Sequence, residues 1–579
     1  MIKLAKFAAP YWKQMAAGSF CKLLEAFLEL LLPFYLHKII DTGLAAGNRA
    51  YIWQCAGRML LFTAIGLASV LLCQYYAAYS SSGIAADMRS ALMEKISNFS
   101  YREIDKFGAP TLINRLTADV NQVRDAASML VRMVTRAPFL CVGAVIMATY
   151  EAPQLSPIFI LIVPAFFGGL FVIIKKSVPL VKQAQKRLDG LALVLRENLG
   201  GIRVIRALVR QPAEKKRAAR AAEGLSGAYI ALSDISGLTS PLTLLIVNAG
   251  IIAVLYFGAR EVGAGALSKG RIVSLSGYIT QITSALLILS NLVTLFTKAS
   301  ASAGRLVEVL DTRPSLEYPS ILPEIPLETK QAVSVRNISY SYAGDGTAIK
   351  NLSFSIAKGS VFGITGVTGS GKTTLINLIA RFYDTDSGEI LLDGVNVRDY
   401  PIRALTGKIG IVPQRSVLFS GTVAENIRFG KMDASDNDII KALELSQALD
   451  FVNAMGGIDA VISEAGKNLS GGQKQRLAIA RALVKKPDLL IMDDSLSALD
   501  YRTDSRIRQA LKTALPGAAF IVVSQRISSV VSADEILVLE NGEMAGLGAH
   551  AELLESCAVY REICEIQTAL YRQGQAPLV

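Results

Sequence analysis

At 579 residues, 51% of them hydrophobic, the chain is too apolar for an ordinary soluble enzyme and long enough for several domains. The net charge of +12 is unevenly placed: thirteen Lys and Arg residues fall between Lys175 and Arg220, flanked by apolar spans, with no aromatic residue among them to stack on a base. That pattern argues against a nucleic-acid partner and for a positive-inside loop, while six Cys without metal-type spacing argue against a disulfide framework or zinc site.

The first residues, MIKLAKFAAPYWKQM, show no cleavable signal pattern and suit an interfacial helix on the cytoplasmic face. Apolar runs of spanning length follow at Ala16–Ile40, Met59–Ala78, Ser156–Ile174, Leu242–Gly258 and Leu275–Phe296. A sixth run, Ala137–Tyr150, has 14 residues and is ambiguous by hydropathy. It must nevertheless span if the flanking basic loops are to stay on one side, and an amphipathic approach from about Asn121 lengthens it. Six spans put both termini in the cytosol.

The loops between the second and third spans and between the fourth and fifth are long, basic and helical in pattern, with turns near SYREIDKFG and RQPAEKK. They are expected either as stiff rods running past the bilayer or as merely solvated charged faces. Within the first span, Lys22, Glu25 and Glu29 recur at helical spacing, so Glu25 and Glu29 share a face. An unpaired carboxylate in lipid is costly. These two are expected to line a substrate cavity, or else to be satisfied by Lys22 and a neighbouring helix.

From about Thr312 the rhythm becomes that of alternating strands and helices in a soluble α/β domain. The expected architecture is an α-helical six-span transmembrane domain over residues 1–311 followed by an α/β P-loop domain over residues 312–579. In SVFGITGVTGSGKTTLINLIARF, a β-like run precedes a glycine-rich loop and then an amphipathic helix, which fits a phosphate-binding loop from Gly366 to Thr373. Gly366, Gly369, Ser370, Gly371 and Thr374 belong to this cradle; Lys372 would reach the β- and γ-phosphates of ATP and Thr373 would ligate Mg2+. Downstream, NLSGGQKQRLAIARAL opens a second helix with Ser470, Gly471, Gly472 and Gln473, another backbone-exposing turn. Two phosphate-binding helix ends on separate lobes cannot both wrap one nucleotide, which implies two such domains packed head to tail. In LLIMDDSLSALD the strand ends in Asp493, suited to positioning magnesium, and Asp494 stands where a water-polarising carboxylate is needed.

With these motifs in place, the sequence resembles the ATP-binding cassette superfamily over essentially its whole length, and its membrane half resembles that of six-span exporter-type half-transporters. The resemblance implies that Tyr342 in ISYSYAG stacks on adenine, that Gln414 in VPQRSVLFSGT touches magnesium, that Glu464 lies in a coupling segment, and that Asp500 communicates across the dimer. Active members carry Glu where Asp494 stands and His where Gln525 stands in IVVSQRISS. The two histidines of the chain, His37 and His550, lie elsewhere.

This combination resembles the degenerate-site subunit of heterodimeric multidrug exporters. It implies a weakly hydrolytic P-loop, a signature turn that completes the site of a second half-transporter, a bacterial inner-membrane location and an amphipathic small-molecule substrate. An exporter-fold importer of siderophores and an ATP-gated channel or regulatory subunit are the alternatives that sequence leaves open.

Overall fold

The computed structural model describes residues 2–321, 323, 329–342, 346–495 and 501–572. The chain forms two compact units, one of Met1–Asn98 and Phe107–Thr312, the other of Phe99–Lys106 and Arg313–Val579.

The first unit is helical. A turn at Ile2–Phe7 leads into α1 (Trp12–Lys38), followed by α2 (Arg49–Ser97), α3 (Ala109–Glu151), α4 (Ser156–Gly200), α5 (Gln211–Gly263) and α6 (Lys269–Asp311). Among the described residues, five helical stretches are long and apolar enough to cross a membrane, and the 14-residue run ambiguous by hydropathy is the end of one of them, a stretch of 43 residues. Helix α1 is not among the five. It has 27 residues, but Lys22, Glu25 and Glu29 make its apolar stretch more polar than the others.

At about 1.5 Å per residue, the 49 residues of α2 reach roughly 70 Å, more than twice the hydrocarbon thickness of a bilayer. Helices α4 and α5 are of similar length and pack against each other beyond the apolar region, where Arg217 pairs with Glu197 at 2.7 Å. Large apolar side chains such as Leu61, Leu71, Leu161, Phe171, Leu245 and Ile252 stay exposed along the spans, as expected where lipid is the solvent. Inside the bundle, Leu140, Phe159, Tyr278 and Ile282 form the packed centre. Toward the C-terminal end of α6, Arg305 binds the buried Asp119 carboxylate of α3, and Arg115 pairs with Glu308 at 2.9 Å.

The second unit holds two main sheets. β1 (Gln331–Ser341), β2 (Thr347–Ala357), β4 (Ser387–Leu392) and β5 (Val395–Asn396) form an antiparallel sheet in the order β2-β1-β4-β5, while β3 (Val361–Gly366) leads into α7 (Lys372–Ile379). The other sheet contains β3, β6 (Ile409–Val412), β7 (Leu489–Asp493), β8 (Ala519–Val523), β9 (Glu535–Glu540) and β10 (Glu543–Gly548), in the order β10-β9-β3-β8-β7-β6. Its pairs are parallel except β9–β10. The unbroken apolar runs LLIM and AFIVV are buried throughout, because a parallel sheet covered on both faces has no wet side for polar residues to alternate onto. Between β6 and β7 lies a helical lobe that includes Val423–Arg428, Asp436–Leu445 and α8 (Gly471–Leu483); α9 (Tyr501–Ala514), α10 (Ile527–Val530) and α11 (Ala558–Arg572) come later.

Replacing Arg305 by Ala strands the Asp119 carboxylate with fewer donors and should lower stability by about 1–3 kcal/mol. Adding Asp119→Asn should recover part of the loss. Thermal unfolding of the four proteins in one detergent measures both effects; strictly additive losses would show that the pair does not act as a unit.

Candidate functional site

The carboxyl ends of β3, β7 and β8 lie side by side in the parallel sheet. Val523 is in register with both Asp493 and Ile364, so the residues that follow each strand emerge at one level. Asp494 N–H donates to Val523 O at 2.8 Å, and Ser524 N–H donates to Ile364 O at 3.1 Å. Above these ends opens a cleft of about 440 Å³.

Its floor is the loop from β3 to α7. Gly366 has φ +147°, and a Cβ there would lie 2.2 Å from Leu539 O; Gly371 has φ +99°, with a Cβ position 2.8 Å from Ala348 O. Only glycine fits either place. Lys372 is buried and folds over the loop, donating to Gly366 O at 2.8 Å, Val367 O at 2.7 Å and Ser370 Oγ at 3.2 Å. Burial pulls the Lys372 ammonium below its ordinary pKa, opposed by Asp493 and Asp494. Burial, together with the adjacent Asp494, pushes the Asp493 carboxyl up, opposed by the Thr373 hydroxyl and Lys372. Thr373 Oγ1 donates to Asp493 Oδ2 at 3.4 Å.

Asp494 sits at φ +46°, just past the strand, and its two oxygens are engaged on opposite sides. Gln414 Nε2 donates to Oδ2 at 3.3 Å, and Ser524 Oγ donates to Oδ1 at 3.4 Å. The Gln525 side chain is exposed on the same wall. Tyr342 lines the far end and donates to Thr374 Oγ1 at 3.4 Å, while its ring stands edge-on to Tyr340 and Tyr383. It therefore both packs within its own aromatic cluster and reaches the cleft. Tyr383 also donates to Asp105 of the 99–106 segment, whose Tyr101 ring stacks on Phe382 with centroids 4.3 Å apart. Burial and this hydrogen bond raise the Tyr383 pKa.

Tyr342, Gly369, Gly371, Lys372, Thr373, Thr374, Gln414, Asp493, Asp494 and Gln525 thus share one cleft, with Gly366 and the buried Ser370 beneath the loop. Ser524 joins them without having been singled out from sequence. A polar residue ending an apolar strand, as Asp493 does, is the signal that marks it.

Among the described residues, the lining of the cleft includes none of Ser470, Gly471, Gly472 and Gln473. Ser470 instead caps α8 in a reciprocal box: its Oγ accepts from Gln473 N–H at 3.3 Å, and its N–H donates to Gln473 Oε1 at 2.9 Å. Glu464 is exposed and pairs with Lys467 at 2.8 Å. Asp500 lies outside the described residues. His37 is 3.4 Å from Glu151, and His550 Nδ1 is 2.8 Å from the Tyr560 hydroxyl, so neither histidine serves the cleft.

In the first unit, Glu25 pairs with Lys22, and Glu29 pairs with Arg136 at 2.6 Å; Arg136 also lies 3.8 Å from Glu25. Both carboxylates border a cleft of about 260 Å³ between α1 and α2. Arg136 went unnoticed in the sequence because it lies on a different helix, 107 residues beyond Glu29.

Residues 15–286 match the ABC transporter transmembrane region, and residues 349–497 match the ABC transporter domain. A Mycobacterium tuberculosis protein, named an uncharacterized ABC transporter ATP-binding protein, is 35% identical over 570 residues, 98% of each chain. The ATP-dependent lipid A-core flippase of Syntrophus aciditrophicus is 31% identical over 571 residues, 98% of this chain and 94% of its own. The chain belongs to the ABC transporter family. The structure of a bacterial Atm1-family ABC exporter with ATP bound is similar to this ABC transporter at a TM-score of 0.80 and 25% identity, over 96% of this chain and 99% of that one. This ABC transporter is accordingly a multi-pass membrane protein with an exporter-type fold, an ATP-binding domain and an ATPase activity coupled to transport.

Proposed function

We propose that this chain is one half of a heterodimeric exporter of amphipathic small molecules, with a hydrolytically weak site on its own P-loop and a signature turn that completes the partner's site. The observation that carries this reading is the uneven equipment of one cleft. Its phosphate side has the curled loop, Lys372 and the N-terminus of α7. Its donor set also fits magnesium: Thr373 is bonded to Asp493 and Gln414 to Asp494, and the two neighbouring carboxylates act on one lysine. Such an ion, when bound, neutralises charge on the β- and γ-phosphates. Lys372 would exchange its loop carbonyls for phosphate oxygens, and Thr373 and Asp493 would hold the ion.

The water-activating side is poor. Asp494 is one methylene shorter than Glu, and its oxygens are already engaged by Gln414 and Ser524. A misplacement of about 1 Å can cost on the order of 10²-fold in rate. Gln525 has no proton to exchange near neutral pH. Ser470 opens a helix whose first amides lie outside this cleft, so their use is against a nucleotide held by another chain.

The same reading assigns residues 1–311 to the membrane and 312–579 to the nucleotide, with both termini on the same, cytosolic side of the membrane as the Lys175–Arg220 basic stretch. The similarity to lipid A-core flippases supports an amphipathic substrate and export. Of the two carboxylates beside the α1–α2 cleft, Glu29 is the more open, at 33% side-chain exposure against 16% for Glu25. Glu29 is therefore assigned to the substrate and Glu25 to the Lys22 pair.

Purified alone, the chain should bind ATP with magnesium but turn it over slowly; robust turnover abolished by Lys372→Ala would refute the weak site. In the co-expressed pair, Gly472→Asp in this chain should lower steady-state ATPase about 10²- to 10³-fold, because transition-state donors are removed from the competent site. Asp494→Asn should slow the pair only mildly. The reverse ranking would mean that this P-loop is the hydrolytic one. Glu29→Gln should weaken transport of cationic compounds more than neutral ones in inside-out vesicles, with Glu25→Gln mainly lowering thermal stability. Equal losses of both substrate classes in Glu29→Gln would make that carboxylate structural.

A further inference from the structure

We infer that Gln567, on the C-terminal helix, is a positioning residue for Gln525. The inference rests on the proposal that Gln525 belongs to the water-activating side of the ATP site, where the terminal phosphate would lie.

The turn between β8 and α10 carries Ser524, Gln525 and Arg526, and little of it is held by regular structure. Arg526 N–H donates to Ser524 Oγ at 3.0 Å, a bond that involves neither the Gln525 carbonyl nor the Ile527 N–H. Ile527 is the first residue of α10, so its N–H has no acceptor within the helix. A single side chain takes both: Gln567 Oε1 accepts from Ile527 N–H at 2.9 Å, and Gln567 Nε2 donates to Gln525 O at 2.7 Å. One planar amide thus brackets Gln525 from behind.

The bracket has a firm base. Tyr560 of α11 is fully buried and bonded to His550, and Ile563 and Cys564 pack against the same core. Positions 560, 564 and 567 follow the spacing of one helix face, so Gln567 extends the buried stripe to the turn. On the opposite side, Ser524 Oγ reaches Asp494. The turn is therefore pinned between the end of β7 and α11, and the Gln525 side chain is left exposed toward the cleft. Because Gln567 contributes both a donor and an acceptor, Leu loses both bonds while Glu keeps only the acceptor.

The test is displacement of a fluorescent mant-ATP by excess ATP with magnesium, on the full-length chain in lipid nanodiscs, with mant-ADP run in parallel. Gln567→Leu should release mant-ATP about fivefold faster, the scale expected for two modest hydrogen bonds, and mant-ADP at the unchanged rate. Gln567→Glu should fall between the two and serves where Leu impairs folding. In a Gln525→Ala background, Gln567→Leu should add nothing. Equal acceleration of mant-ATP and mant-ADP, or an effect fully additive with Gln525→Ala, would overturn the inference. Unchanged mant-ATP release in Gln525→Ala itself would instead refute the reading of Gln525 on which it rests, and the inference with it.

Discussion

The hydrogen-bonded register of three parallel strands is the constraint on which the nucleotide half depends. β3, β8 and β7 are buried on both faces, and Val523 lies level with Ile364 on one side and Asp493 on the other. That alignment delivers the glycine loop, the two aspartates and the Ser524–Gln525 pair to a common edge from positions spread between Gly366 and Gln525. A slip of one residue would turn Asp493 from the cleft into the core and strand a carboxylate there. The runs themselves are apolar on both faces, so the polar residues at their ends, Asp493 and Ser524, are what oppose such a slip.

In the membrane unit the equivalent constraint is that charge must be paired. Lys22, Glu25, Glu29 and Arg136 form a cluster of two cations and two anions linking α1 to α3. Near the other end of the same helices, buried Glu151 accepts from Ser274 and Tyr278 and lies beside His37, which ties α1, α3 and α6 together. Asp41 accepts from Gly270 N–H at 2.7 Å and Ser268 Oγ at 2.5 Å, at the start of α6. Polar residues that look anomalous along any one span thus become the cross-links of the bundle. Without water to absorb an unmet hydrogen bond, each of them selects a particular neighbour.

Local chemistry made much of this legible before any fold was known. The phosphate loop needs glycine where the backbone curls and lysine at a fixed offset, so its function is written in consecutive residues. The ends of apolar strands, Asp493 and Asp494, mark their site by breaking a hydrophobic run. Span lengths, basic loops and the change of rhythm near Thr312 are likewise properties of short windows. The length of α1 was also plain, although its three charges make it the least apolar of the spans, and the short run Ala137–Tyr150 gained its length from a continuous amphipathic approach.

What sequence alone determined, then, was the fold class and the glycine-rich loop, because each depends on local pattern. Tertiary structure decided which side chains meet: Arg136 with Glu29, Ser524 with Asp494, Gln567 with the backbone around Gln525. It also decided that Tyr342 stands edge-on within an aromatic cluster as well as beside the cleft, and that Ser470 caps its own helix and does not line the P-loop cleft. The physical reason is that a hydrogen bond or ion pair depends on separation in space, and separation in space between residues on different elements is set by how helices and strands pack, which no window of consecutive residues contains.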